Sequence, residues 1–293
     1  MKRIRQLFLQ NAAGDRVGLN GQQGIYASDL SGFGMDLAPD FADLSYGFFS
    51  ITHDKVEPQA ALGMTVTFTS NAYQQYLSFA NWLAAAGTIT LIYNPTGVRE
   101  YWRDICLSSI QKGELNAVGW LPVPCTFSCL TPWYLPTPTD MALEADTSES
   151  IRRYPYSYTS ELRYGSDSHA ALSCKIPGSG HIPGAMRLTY SGAISDPELR
   201  LVDDTTGKLI GRCKIYADLS ETDTLIYCTR YDQSYAKVIS ATGEERDLLD
   251  VLDLTMDPFF HIPVNHPCTF SIESTADLSG IAELQIYHYY RSV

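Results

Sequence analysis

The residue types that do chemistry are present in this chain, but their spacing assembles no reaction site. Serines are many, yet no G-x-S-x-G elbow occurs to expose one as a nucleophile. The histidines are His53, His169, His181, His261, His266 and His288. His261 and His266 are five apart with prolines beside both, and lack the i, i+4 helical spacing of a metalloprotease pair. They are read as surface or interface histidines. The adjacent acids Asp203-Asp204 and Glu244-Glu245 would point apart on a strand, so solvated turns suit them better than a glycosidase pair. Cys125 and Cys129 suggest a metal or a disulfide, but four strand residues span about 13 Å, too far for either. All seven cysteines are scattered and read as core thiols. The glycines at 14, 18, 21 and 24 lack the lysine and following helix of a phosphate loop. Catalytic, cofactor-binding and metal sites are therefore all expected to be absent.

Composition narrows the class further. The chain has 293 residues, 45% hydrophobic and 18% charged, which fits an ordinary globular protein of two domains. Its net charge of −12 gives no basic face for nucleic acid. Residues 1–10 do not form a signal peptide, and no apolar run is long enough to span a membrane, so synthesis and folding in a cytoplasm are expected. Nineteen tyrosines suit strands and extended protein interfaces.

The elements that must carry these residues are mostly strands. The richest pattern lies in 71–134. Tyr73, Leu77, Ala80 and Ala84 recur at helical spacing, widened by Tyr76, Phe79 and Leu83. Ser70 or Asn71 is the expected cap and Gly87 the expected stop, giving one short helix lying on a sheet. Residues 88–93 then read as a strand. Tyr101, Arg103, Ile105 and Leu107 share one face of the next, and Gln111-Lys112-Gly113 turns the chain. Leu121, Val123, Cys125, Phe127 and Cys129 share one face of a third. Pro122 and Pro124 place that third strand at an edge or a bulge. Before the helix, 25–34 and 62–69 read as strands. Residues 35–47 read as a long acidic-aromatic loop whose apolar side chains need cover. After Tyr134, residues 135–150 look like a linker. Beyond it, strand-like runs recur every ten to fifteen residues, as in a β-sandwich.

The order of these signals resembles the siphophage distal tail protein family. The resemblance rests on the helix ending in Trp82-Leu83, the Arg99-x-Tyr101 strand start, Gly113-Glu114 after the turn, and Cys129-Leu130-x-Pro132-Trp133-Tyr134. It continues through Tyr154-Pro155-Tyr156-x-Tyr158, Gly180-His181-Ile182-Pro183, Tyr190-Ser191-Gly192, Asp196-Pro197-x-Leu199 and Asp257-Pro258-Phe259-Phe260-x-Ile262-Pro263. One departure is that Val264-Asn265-His266-Pro267 stands where the family has a glycine. The resemblance implies a mostly β chain. Residues 1–138 would form a ring-forming β-barrel-like domain with one short helix, and 139–293 a galectin-like β-sandwich. It implies the structural hub of a long-tailed phage tail tip, joining the tail tube to the baseplate or tail-fibre apparatus. Its partners would be a homo-hexameric ring, the tail tube protein and a tail-associated or tail-fibre protein. It further implies virion tail-tip localisation, DNA passing through the pore without specific binding, no cofactor and no membrane insertion. Within the acidic-aromatic loop, Phe41, Leu44 and Tyr46 are the candidate inter-subunit contacts.

A carbohydrate-binding adhesin is the alternative. All four tryptophans, Trp82, Trp102, Trp120 and Trp133, precede residue 135, so the sandwich half lacks the side chain that most often stacks on sugars. The linker reading carries its own test. Limited proteolysis is expected to cut first within 135–150 and release two folded pieces; first cuts within 71–134 would refute two domains.

Overall fold

The computed structural model describes residues 5–37, 40–44, 47–52, 56–140, 142–144, 171–255, 257–274, 278 and 280–293. Its strands fall into two compact units, 1–136 with 289–293, and 137–288.

The first unit is built from β1 (Gln6–Gln10), β2 (Arg16–Gly18), β3 (Ile25–Ser31), β4 (Met35–Leu37), β5 (Asp40–Leu44), β6 (Gly47–Thr52), β7 (Val56–Pro58), β8 (Ala61–Phe68), α1 (Ala72–Ala86), β9 (Ile89–Asn94), β10 (Tyr101–Ile110), β11 (Leu121–Cys129) and the start of β12 (Trp133–Asp140). The antiparallel order β2-β1-β9-β10-β11-β8-β3 closes on itself. Leu19, just past β2, donates its N–H to Leu7 and accepts from Ala27 of β3, at 2.9 and 3.1 Å. Closure leaves few free ladder groups, as a barrel should. Leu62, Met64, Val66 and Phe68 of the expected alternating strand, and Leu121, Val123, Cys125 and Phe127 of the expected third, enter one core, together with Leu7 and Leu9 of β1.

One expectation holds locally and one needs correction. At its prolines β11 is an edge, as expected: it pairs with β8 from Leu121 to Ser128, while pairing with β10 begins only at Cys125↔Ile110. Pro122 and Pro124 therefore sit where only one neighbour makes ladder bonds, and their missing N–H groups cost nothing on the open side. The helix buries a different face from the one expected. Ala72, Phe79 and Leu83 enter the core with Tyr76 and Trp82 packed behind, whereas Tyr73 and Leu77 remain 40% and 58% exposed. Two apolar stripes lie about 100° apart on this helix, and periodicity alone does not choose between them. Phe68 decides, because its ring meets Phe79 edge-on at 5.6 Å and Tyr76 at 6.2 Å. Asn71 takes a left-handed conformation (φ 44°) without a side-chain cap bond, so neither expected cap forms; Gly87 does end the helix at φ 63°.

The second unit is a sandwich. One sheet runs β13 (Ala142–Glu144), β14 (Ala171–Ile176), β23 (Cys268–Glu273), β17 (Glu198–Asp203), β18 (Leu209–Lys214). The other runs β24 (Ile281–Tyr290), β15 (Ile182–Ser191), β20 (Thr224–Arg230), β21 (Gln233–Ile239), β22 (Glu245–Asp247). A small pair, β16 (Ile194–Ser195) and β19 (Asp218–Leu219), completes it. Leu199, Leu201, Phe270 and Ile272 from the first sheet share a core with Leu188, Tyr190, Leu225 and Tyr227 from the second. Every strand-like run expected after residue 170 is a strand. The supposed linker is not irregular throughout, since β12 extends to Asp140 and β13 covers 142–144; its remainder, 141 and 145–150, lies outside the described residues. Where the glycine was missing, Asn265 adopts φ 56° and donates its N–H to Ser179. Asparagine is among the few residues that tolerate this region.

The choice of helix face is directly testable. Leu83→Ala is expected to destabilise the protein by about 2–5 kcal/mol, and Leu77→Ala by less than about 1 kcal/mol, in chemical denaturation. Equal losses would mean the wrong face has been assigned to the core.

Candidate assembly site

Within the expected loop at 35–47, the described residues Met35–Leu37, Asp40–Leu44 and Gly47 lie in strands. The pairs Met35↔Pro58, Asp36↔Glu57 and Leu37↔Val56 lead to Asp40↔Thr52, Phe41↔Ser50 and Leu44↔Gly47. These two ribbons, β4 with β7 and β5 with β6, make a two-stranded arm inserted between β3 and β8, and among the described residues their strands pair only with each other. The acids obscured it in the sequence. The partner run Gly47–Thr52, with Phe48, Phe49 and Ile51, is rich in strand-forming residues and draws Asp40–Leu44 into a ladder. Phe41 and Leu44 therefore lie on β5, and Tyr46 falls outside the described residues.

The arm is rooted by a buried cation. Arg103 is only 1% exposed. Its Nε donates to Thr131 O at 2.9 Å and its Nη1 to Gly32 O at 3.1 Å, while Nη2 donates to Gln59 O. Gly32 and Gln59 are the two stems of the arm. The guanidinium also lies 5.4 Å from the centroid of Trp133. Burial pushes the Arg103 pKa down from its ordinary value, yet arginine titrates too high to lose its charge here. Three carbonyls on a planar fork satisfy the charge without a carboxylate.

The stem geometry follows from local sequence. Pairing of β3 with β8 slips between Ser28 and Ser31, where Asp29 takes φ 50°, so the strand bends out of the barrel. Gly32 has φ 86°, and a Cβ there would meet Ala61 O at 2.2 Å, so only glycine fits. Phe33 then packs on Tyr93 and Trp133 at 5.0 and 5.2 Å. Gln59 Nε2 donates to Asp36 Oδ1 at 3.0 Å across the stems. On the opposite face of β10, Asp104 Oδ1 accepts from Thr90 and Tyr134, both at 2.9 Å. The sequence placed Arg103 in phase with Ile105 but did not identify its role. The available signal was a charged residue at an interior position.

A second surface flanks the helix. Tyr73 donates its hydroxyl to Glu114 Oε2 at 2.9 Å, Lys112 lies 5.0 Å from its ring, and the Glu114 carboxylate raises the Tyr73 pKa. Leu77, Leu115, Val118 and Trp120 are exposed on the helix and the loop after β10.

The side chains considered for chemistry are dispersed. Burial pushes Cys125 and Cys213 up to about 12, and Cys174 and Cys268 up to about 11, so these thiols stay protonated and unreactive. Among the described residues, no cluster of three or more His, Cys, Asp or Glu is placed to hold a metal ion. Asp203 Oδ1 accepts N–H groups from Thr205 and Thr206, which makes it a turn residue. Two histidines depart from the surface reading. His288 is buried in phase with Ala282, Leu284 and Ile286, and His261 is half-buried and stacked on Tyr231 at 4.4 Å. Burial lowers the pKa of both. His53 and His169 lie outside the described residues.

The root can be tested by itself. Arg103→Met leaves three carbonyls without their donor, at roughly 1–3 kcal/mol for each group left buried and unpaired. The expected result is a large loss of stability, with faster amide exchange at Gly32–Gly34 and Gln59–Ala61. Arg103→Lys is expected to recover only part, since an ammonium lacks the planar fork. Wild-type stability in Arg103→Met would show that the clamp contributes nothing.

Comparison with known proteins agrees with this architecture. Residues 6–130 match the family model described as the distal tail protein, N-terminal domain. No curated protein matches the chain. Among solved structures, a chain of the phage P2 baseplate in its activated, calcium-bound conformation is similar at 15% identity and a TM-score of 0.66, covering 99% of this chain and 100% of that one. The SPP1 Dit (gp 19.1) protein, described as a hub of the adsorption apparatus in phages infecting Gram-positive hosts, is similar at 10% identity and a TM-score of 0.56, covering 97% and 99%. The closed barrel, the inserted arm and α1 all lie inside residues 6–130, the segment that matches the distal tail protein N-terminal domain.

Proposed function

We propose that this protein is the structural hub of a long-tailed phage tail tip, joining the tail tube to the baseplate and its tail-fibre or receptor-binding apparatus. In this reading 1–138 form a ring of six copies, and 139–293 form a galectin-like domain on its periphery. The protein acts by assembly and not by catalysis, and resides in the virion tail after synthesis in the host cytoplasm.

The observation that carries this reading is the arm. A two-stranded ribbon is marginally stable alone in water. This one is paired at Met35↔Pro58 to Leu37↔Val56 and again at Asp40↔Thr52 to Leu44↔Gly47. Both long edges lack a ladder partner among the described residues. Such edges invite pairing with another chain, and a neighbour in a closed ring satisfies them without open-ended growth. The rigid root fixes the angle at which the arm leaves, which is what a ring of definite size requires. The acidic balance of −12 suits a channel for DNA, since like charge keeps phosphates from sticking.

Light scattering of the purified protein is expected to give a mass near six times 32.5 kDa. Phe41→Asp is expected to abolish the hexamer, or incorporation into tails, with circular dichroism unchanged. It places a charge where an apolar side chain would otherwise contribute about 1.5–3 kcal/mol per contact. Normal assembly of this variant would rule out the arm as the ring contact.

A further inference from the structure

A groove on the first unit shares no lining residue with the arm. It encloses about 510 Å³ between α1 and the turn from β2 to β3. Its apolar surface comes from Val17, Ile25, Phe79 and Trp82, and its polar rim from Gln23, Asn71, Gln74 and Ser78. No charged residue lines it. We propose that this groove binds a neutral carbohydrate, with a sugar ring stacked on Trp82 and its hydroxyls held by the rim amides.

Three features support a saccharide. Trp82 is half-buried and stacks nearly parallel to Phe79, at 6.5 Å and 13°, so the indole is held in a fixed plane. A rigid indole offers an apolar face to the C–H face of a pyranose. The side chains of Gln23, Asn71, Gln74 and Ser78 make no hydrogen bond among the described residues. Amide side chains each offer two donors and an acceptor, the mixture that vicinal hydroxyls require. The groove is also braced. Gln75 Nε2 donates to Gln23 O at 2.9 Å and to Ser70 Oγ at 3.2 Å, tying the turn to the helix. Preformed, mostly apolar clefts with a few placed polar groups are the usual form of small-ligand sites.

The wall chemistry disfavours an extended peptide. Strand addition needs open backbone groups, but the turn has spent its own. Gly21 N–H bonds Ile25 O, Gly24 N–H bonds Gly21 O, and Gly24 O accepts the N–H of Thr69. What remains available is side-chain amide and one aromatic face. Of the four tryptophans, Trp82 is the one that lines this groove.

The test applies the full-length protein to a microbial glycan array, followed by calorimetric titration with the strongest glycan retained. Trp82→Ala is expected to weaken binding by about tenfold or more, from loss of ring stacking. Trp82 also packs against the core, so Gln74→Ala on the exposed rim is the second variant, expected to weaken binding severalfold with unchanged thermal stability. Leu77→Ala, on the outer helix face, is expected to bind as wild type. Three results would overturn the proposal: retention of no glycan, binding untouched by both groove variants, or occupation of the groove only by peptide.

Discussion

One guanidinium sets the geometry of the first unit. Arg103 collects the carbonyls of Gly32, Gln59 and Thr131, three points distant in sequence, onto one planar group. Two of them are the stems of the arm and the third precedes β12. A hydrophobic side chain at this position would fill the space but leave three acceptors buried without donors. Lysine would supply the charge without the fixed fork. The aromatic packing of Phe33, Tyr93 and Trp133 surrounds this clamp, and Gly32 is required beside it because Ala61 O leaves no space for a Cβ. Bulge, glycine, clamp and aromatic cover all serve to turn a barrel strand outward at a fixed angle.

The barrel makes this possible because it is already closed. Leu19 joins the two ends of the strand order by bonding both Leu7 and Ala27. The core therefore does not depend on the arm for hydrogen bonds, and the arm is left with edges to offer. A stable body and an incomplete appendage divide the work. The barrel holds the buried core, and the appendage leaves ladder edges without a partner among the described residues.

Much of this was legible in the sequence, for identifiable reasons. Alternation of period two marks β8, β11 and the sandwich strands because one face of each is buried and the other wet. Gly87 and the turn glycines are legible because positive φ selects glycine strongly. The helix face was not, because Tyr73 and Leu77 form as good a stripe as Tyr76 and Phe79, and only the ring of Phe68 separates them. The arm was hidden because Asp36, Asp40 and Asp43 read as loop signals when their strand partner lies up to 21 residues away in sequence, Asp36 being paired with Glu57. The prolines of β11 marked the stretch that β10 does not pair, but that the same strand gains a second neighbour from Cys125 onward is a tertiary fact. Arg103 was placed on the correct face, but its three acceptors are backbone carbonyls and leave no trace in residue identity.

The root has a consequence for how such a protein changes over time. Because Gly32 and Gln59 are pinned to one side chain, the barrel meets the intervening segment only as two fixed ends. Doubling the length of a flexible insertion between fixed ends adds only about 0.6 kcal/mol of closure entropy. The segment between Gly32 and Gln59 is thus a graft port. Arms of other lengths and surfaces can be exchanged there while the barrel beneath stays the same, so the reach of the protein and its stability are free to evolve separately.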